Sequence, residues 1–128
     1  IINDQDNPPD INLWHSDLSY YEKPATACLL QCRECPDTGG DTLWSSMISA
    51  CSTLGDALKN IVDTNNAYHQ LPLDGYPQEL VKKALEKPVA AIHPMVRLIP
   101  ETGKRSLYVN RVYTHRIEGL VSQKVMVF

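Results

Sequence analysis

Nowhere in its 128 residues does the chain carry an apolar run near the roughly 20 residues that a membrane-spanning helix requires. It has no basic cluster either. The 12 Lys and Arg are scattered among 15 Asp and Glu, giving a formal charge of −3 and a pI near 5.7. Nothing in that balance attracts a polyanion, so neither nucleic acid nor an anionic membrane is expected as a partner, and a small molecule is. The opening Ile1-Ile2-Asn3-Asp4-Gln5-Asp6 has no basic n-region, no apolar h-region and no initial Met, so a secretory signal is not expected here and the chain is expected to begin further upstream. Internal repeats and low-complexity tracts are absent. The composition, 43% hydrophobic and 21% charged, is that of one globular domain or part of one.

A second C-x2-C knuckle is also lacking. Cys32 and Cys35 form one such pair, with Cys28 and Cys51 nearby, whereas zinc ribbons use two separated knuckles. Cys28 and Cys32 share parity within an apolar stretch, so on a strand both face one side and pack as small hydrophobes. Core thiols are therefore expected ahead of a disulfide or a thiolate zinc site, and reduced thiols suit a cytoplasmic compartment. Gly39-Gly40 lacks the following Lys-Ser/Thr and the βαβ context of a phosphate-cradling loop, and reads as a pair of turn glycines.

What is present alternates strand and helix signals. Residues 1–12 read as a proline-containing loop. Leu13 to Ser19 sets Leu13, His15, Asp17 and Ser19 against Trp14, Ser16 and Leu18, a strand pattern with one polar face. Thr26 to Cys35 reads as a second strand, ended by the turn-forming Pro36-Asp37-Thr38-Gly39-Gly40-Asp41. Strands thus occupy 13–45. A helical insertion follows over 46–88. Ser45-Ser46 offers an N-cap for Met47, Ile48 and Ala50; a second helix carries Ala57, Leu58, Ile61 and Val62; a third opens at Tyr76-Pro77 and buries Leu80, Val81, Ala84 and Leu85. Over 89–119, Val89 to Ile99 and Arg105 to Asn110 form a hairpin about the turn Pro100 to Lys104. Trp14 and Trp44 are expected as core aromatics.

Side chains two apart on a strand share a face, with Cα atoms roughly 6 to 7 Å apart, so His15 and Asp17 can converge on one ion. Imidazole and carboxylate suit a divalent first-row metal, and two His plus one carboxylate is the non-haem Fe(II) arrangement. His-x-Asp is common by chance, and solvated or hydrogen-bonded strand residues remain the ordinary alternative.

The surrounding residues are more specific. Trp14-His15-Ser16-Asp17-Leu18-Ser19-Tyr20, then Glu34-Cys35-Pro36-Asp37-Thr38-Gly39-Gly40-Asp41-Thr42-Leu43-Trp44, then His93-Pro94-Met95-Val96-Arg97, Thr102-Gly103-Lys104 and Leu107-Tyr108-Val109-Asn110 together resemble the taurine dioxygenase family in order and spacing. The resemblance implies a mainly β fold with a helical insertion, a double-stranded β-helix (jelly roll, cupin-like), here incomplete at both ends. It implies an Fe(II)- and 2-oxoglutarate-dependent dioxygenase that uses O2 to hydroxylate a small organic acid, of the taurine or sulfonate, sulfate ester or aryloxyalkanoate class. It carries over His15 and Asp17 as iron ligands and Thr42 as a hydroxyl donor to 2-oxoglutarate. More weakly, it places Tyr113 near the substrate; His69, near where the family's substrate loop begins, is expected in a solvated loop, with a place lining the substrate pocket as the alternative.

Family members complete the iron site with a second His far downstream and an Arg about ten residues beyond it that grips 2-oxoglutarate. His69, His93 and His115 fall too early in that order. His93 is expected in a structural hydrogen bond, while His115 and Arg116 are expected to face water. Two rivals stand beside this reading: a non-catalytic truncated paralogue without a complete iron site, and a small zinc-stabilised module built on the cysteines. A jelly roll cut at both ends leaves strand edges that favour pairing with another chain, so a homo-oligomer is possible. The reading frame is expected to run on past Phe128 and to contain a His followed about ten residues later by an Arg. Sequencing the downstream gene checks this, and a stop codon directly after Phe128 overturns it.

Overall fold

The structure is a computed structural model that describes residues 13–74 and 78–119, the side chain of Leu80 apart. The loop expected over 1–12, the Tyr76-Pro77 helix start and the apolar residues 120–128 lie outside the described residues. The elements run α1 (Met47–Thr53), α2 (Asp56–Thr64), β1 (Asn66–Gln70), α3 (Gln78–Ala84), β2 (Ala90–Pro94), β3 (Val96–Ile99), β4 (Lys104–Leu107) and β5 (Thr114–Ile117). Helices and strands are thus mixed. No helix among the described residues is long and apolar enough to cross a membrane.

All three expected helices form. Ser46 caps α1, its hydroxyl accepting from the Ser49 amide at 3.2 Å, which satisfies one of the four donors that a helix start leaves open. The apolar stripes are less buried than their spacing suggests. In α2 only Val62 is buried, while Leu58 and Ile61 face outward, and Leu85, just after α3, is exposed.

The expected hairpin is present as β3 and β4, antiparallel, with Val96 opposite Leu107 and Ile99 opposite Lys104. Gly103 closes its turn at φ +65°, a left-handed conformation that costs residues with a Cβ, and its amide donates to the Ile99 carbonyl at 2.8 Å. The single strand expected over Val89 to Ile99 is in fact two. It breaks at Met95, whose amide turns back to Asn65 O while its carbonyl accepts from Tyr108 N, so β2 and β3 belong to different sheets.

β1 lies at the centre of the three-stranded antiparallel sheet β2-β1-β5, within what reads from sequence as an all-helical insertion. Its inward residues are Ala67 and His69, too small and too polar to register as an apolar alternation; its place comes from ladders on both sides. A register shift between Tyr68 and His69 bends its pairing with β5.

Two further expectations fail. Neither Leu13 to Ser19 nor Thr26 to Cys35 forms a strand, because a ladder needs a partner and no described strand pairs with either. In the second segment Leu29 is 98% exposed, and Cys28, Cys32 and Cys35 are exposed free thiols, so only Cys51 is a core thiol. Trp14 and Trp44 are likewise exposed rather than core.

The apolar core is Val62, Ala67, Met95 and Ile117, with Leu54, Val96, Leu107 and Val109 packed around it. It joins α2, both sheets and the Met95 break. Met95→Ala removes the side chain at that junction and is expected to cost about 2 to 4 kcal/mol, read as a lowered urea midpoint with the slope unchanged.

Candidate metal centre

His15 and Asp17 sit just before and within a turn closed by Tyr21 N donating to Leu18 O at 3.0 Å. His15 Nδ1 donates to the Leu13 carbonyl at 2.7 Å, which fixes the tautomer and leaves Nε2 to face Asp17 Oδ1 at 3.2 Å. Two acceptors at that separation need a cation between them. A proton on Nε2 makes the pair a salt bridge. A metal ion suits the same spacing, because adjacent corners of an octahedron with bonds of about 2.1 Å lie about 3 Å apart. The donor set therefore fits a first-row divalent metal. Cys28 Sγ donates to the other carboxylate oxygen, Asp17 Oδ2, at 3.5 Å, and that bond raises the Cys28 thiol pKa.

Tyr113 stands beside the pair. Its ring meets His15 edge-on at 6.2 Å and Tyr20 at 5.1 Å, and both tyrosines are buried. Burial, followed by the neighbouring Tyr21 and Tyr113 and then lesser contributions, pushes Tyr20 up to about 12. Thr42 is exposed in an extended segment before α1, and among the described residues no hydrogen bond joins it to His15 or Asp17. Among these residues, too, no group of three or more His, Cys, Asp or Glu is placed to hold one metal ion. His15 and Asp17 are brought into contact with each other.

His69, expected in a solvated loop or lining the substrate pocket, lies instead on strand β1 with no exposed surface. Its Nδ1 shares a 3.0 Å hydrogen bond with Ser19 Oγ, and its ring stacks on Tyr108 at 5.6 Å and meets His93 edge-on at 5.5 Å. The Arg97 guanidinium covers Tyr108 at 4.4 Å. His93 takes the expected structural bond, donating from Nε2 to Tyr21 O at 3.0 Å. His115 and Arg116 are exposed, both resting on the Tyr68 ring.

Sequence reasoning missed Ser19 and Asn110 as members of one site. Asn110 Oδ1 accepts from the amides of Val112 and Tyr113, and its Nδ2 donates to Ser19 Oγ at 3.3 Å. The available signals were Ser19's parity with His15 and Asp17, and Asn110's place at the end of a family motif. Leu18, between Asp17 and Ser19, has φ +58°, a region that costs a non-glycine residue ~1 kcal/mol or more unless its surroundings impose it.

The family model "Taurine catabolism dioxygenase TauD, TfdA family" matches residues 2–126, and the chain belongs to that family. It is 34% identical over 114 residues to an alpha-ketoglutarate-dependent sulfonate dioxygenase of Saccharomyces cerevisiae, covering 87% of this chain and 27% of the relative. It is 37% identical to the alpha-ketoglutarate-dependent dioxygenase cnsP of Penicillium expansum, over 83% of this chain and 30% of that one. An alpha-ketoglutarate-dependent sulfate ester dioxygenase of Pseudomonas putida is 29% identical, over 84% of this chain and 39% of its own length. The chain thus spans well under half of each.

Burial, then the neighbouring His93, lowers the His69 pKa to about 4, while the Tyr108 backbone opposes the shift. Folded His69 stays neutral where the unfolded side chain, with its ordinary value near 6.5, takes a proton. The stabilisation is fully present above pH 6.5 and is lost as pH falls from 6.5 through 4, ~3 kcal/mol in all. Urea midpoints across pH 4 to 7 check this, and His69→Gln is expected to flatten the slope.

Proposed function

We propose that the protein containing this chain is an Fe(II)- and 2-oxoglutarate-dependent dioxygenase acting on a small organic acid. The observation that carries the reading is the 3.2 Å approach of His15 Nε2 to Asp17 Oδ1 in a chain of the TauD, TfdA family. His15 and Asp17 would hold the iron, with a second His and an Arg coming from outside this chain. Bound iron, with 2-oxoglutarate and O2, supplies the chemistry that converts 2-oxoglutarate to succinate and CO2 and hydroxylates a C–H bond.

The chain's own residues position and bind. The Leu13 carbonyl orients the His15 ring. Asp17 brings the negative charge that a divalent ion prefers. The Thr42 hydroxyl would donate to a carboxylate of 2-oxoglutarate. Tyr113, edge-on to His15, forms an apolar wall that limits the substrate and excludes water. The architecture completed by the rest of the protein is the double-stranded β-helix, a cytoplasmic compartment suits the free thiols, and sulfonates, sulfate esters and phenoxypropionates, named for relatives of this chain, define the substrate class.

The full-length protein is expected to form succinate from 2-oxoglutarate only when Fe(II) is supplied. Asp17→Ala is expected to lower that turnover at least 100-fold, about 3 kcal/mol of barrier. Wild-type turnover in the variant removes Asp17 from the ligand set.

A further inference from the structure

We propose that His69 is a positioning residue that acts through Ser19 to aim the Asp17 carboxylate, an inference that rests on the metal reading of His15 and Asp17. The turn carrying Asp17 is clamped at three successive residues. Ser19, with no exposed surface, is held by His69 Nδ1 at 3.0 Å and Asn110 Nδ2 at 3.3 Å. Tyr20 is buried against Tyr113, 5.1 Å between ring centroids. The Tyr21 carbonyl accepts from His93 Nε2 at 3.0 Å.

Asp17 itself has only contacts that can move. Its side chain is half exposed, and its partners are His15 and a thiol on an open segment. What sets its direction is the backbone. Leu18 at φ +58° bends the chain between Asp17 and Ser19, and a leucine holds that conformation only where its neighbours impose it. Ser19 is the neighbour that does so, because its hydroxyl is committed to two partners in the interior.

His69 is the rigid side of that bond. It sits on the central strand β1, stacked on Tyr108 and packed edge-on against His93. Ser19 is its one side-chain hydrogen-bond partner among the described residues, and the Tyr108 backbone lies against the same ring. Asn110 locks the other side, since its Oδ1 is taken by the Val112 and Tyr113 amides and its Nδ2 is left for Ser19. The same asparagine therefore places the Tyr113 turn and the Asp17 turn relative to each other.

The test uses the full-length, metal-free protein titrated with Co(II) alone, followed by its visible absorption well below the melting temperature seen by circular dichroism. Ser19→Ala and His69→Leu are expected to weaken Co(II) binding about ten-fold, whereas Ser19→Thr and His69→Gln, which can keep the bond, are expected to stay within about two-fold of wild type. A purely structural role would lower the melting temperature and leave the affinity of the folded protein unchanged. The proposal is overturned if folded Ser19→Ala binds Co(II) as wild type does while Asp17→Ala has lost it. Co(II) binding that survives Asp17→Ala overturns the metal reading, and this proposal with it. Should Ser19→Ala fail to fold, the contrast between His69→Gln and His69→Leu decides in the same way.

Discussion

The hydroxyl of Ser19 is the point on which the ordered part of the molecule converges. It has no exposure to water, so it must be satisfied from within, and a buried polar group left without partners costs about 1 to 3 kcal/mol. His69 reaches it from the central strand and Asn110 from the segment after β4. Remove either and the other is left beside a half-satisfied group in a medium of low dielectric. The two bonds therefore support each other, and with them the placement of the Tyr113 turn, the bend at Leu18 and the heading of the His15 and Asp17 side chains.

Around that node the site is held unequally. On one side, Tyr20, Tyr113, His69 and His93 form a packed aromatic wall backed by the three-stranded sheet. On the other, residues 22–46 run without regular structure, and Leu29, Leu30, Leu43 and Trp44 are open to solvent. Apolar side chains left open in this way forgo the stabilisation that burial would bring. Thr42 belongs to this open arm.

The parts legible in the sequence are those with local causes. Ser46 as a cap, the spacing of Met47, Ile48 and Ala50, and Gly103 in the hairpin turn each act within a few residues, and each is found as read. The failures are non-local. Val62 is buried and Leu58 is not because of what lies opposite them in space. β1 is a strand through neighbours 20 to 50 residues away, with only Ala67 and His69 pointing inward, and Thr26 to Cys35 has strand composition with no ladder to join. The candidate site divides the same way. His15 and Asp17 are readable from spacing and family pattern, whereas Ser19 and Asn110 matter through a contact that no window of sequence contains.

Ser19 and Asn110 are 91 positions apart, and that separation bears on how the protein is made. Closing so long a loop has an entropic cost that local structure cannot offset early, and contacts of this range are among the slow events of folding. As the chain leaves the ribosome, His15 and Asp17 emerge well before Asn110, on a turn that Asn110 cannot yet brace. The clamp on Ser19 is complete only after residue 110 has been synthesised and docked, so the order of synthesis delays the fixing of the turn that carries His15 and Asp17.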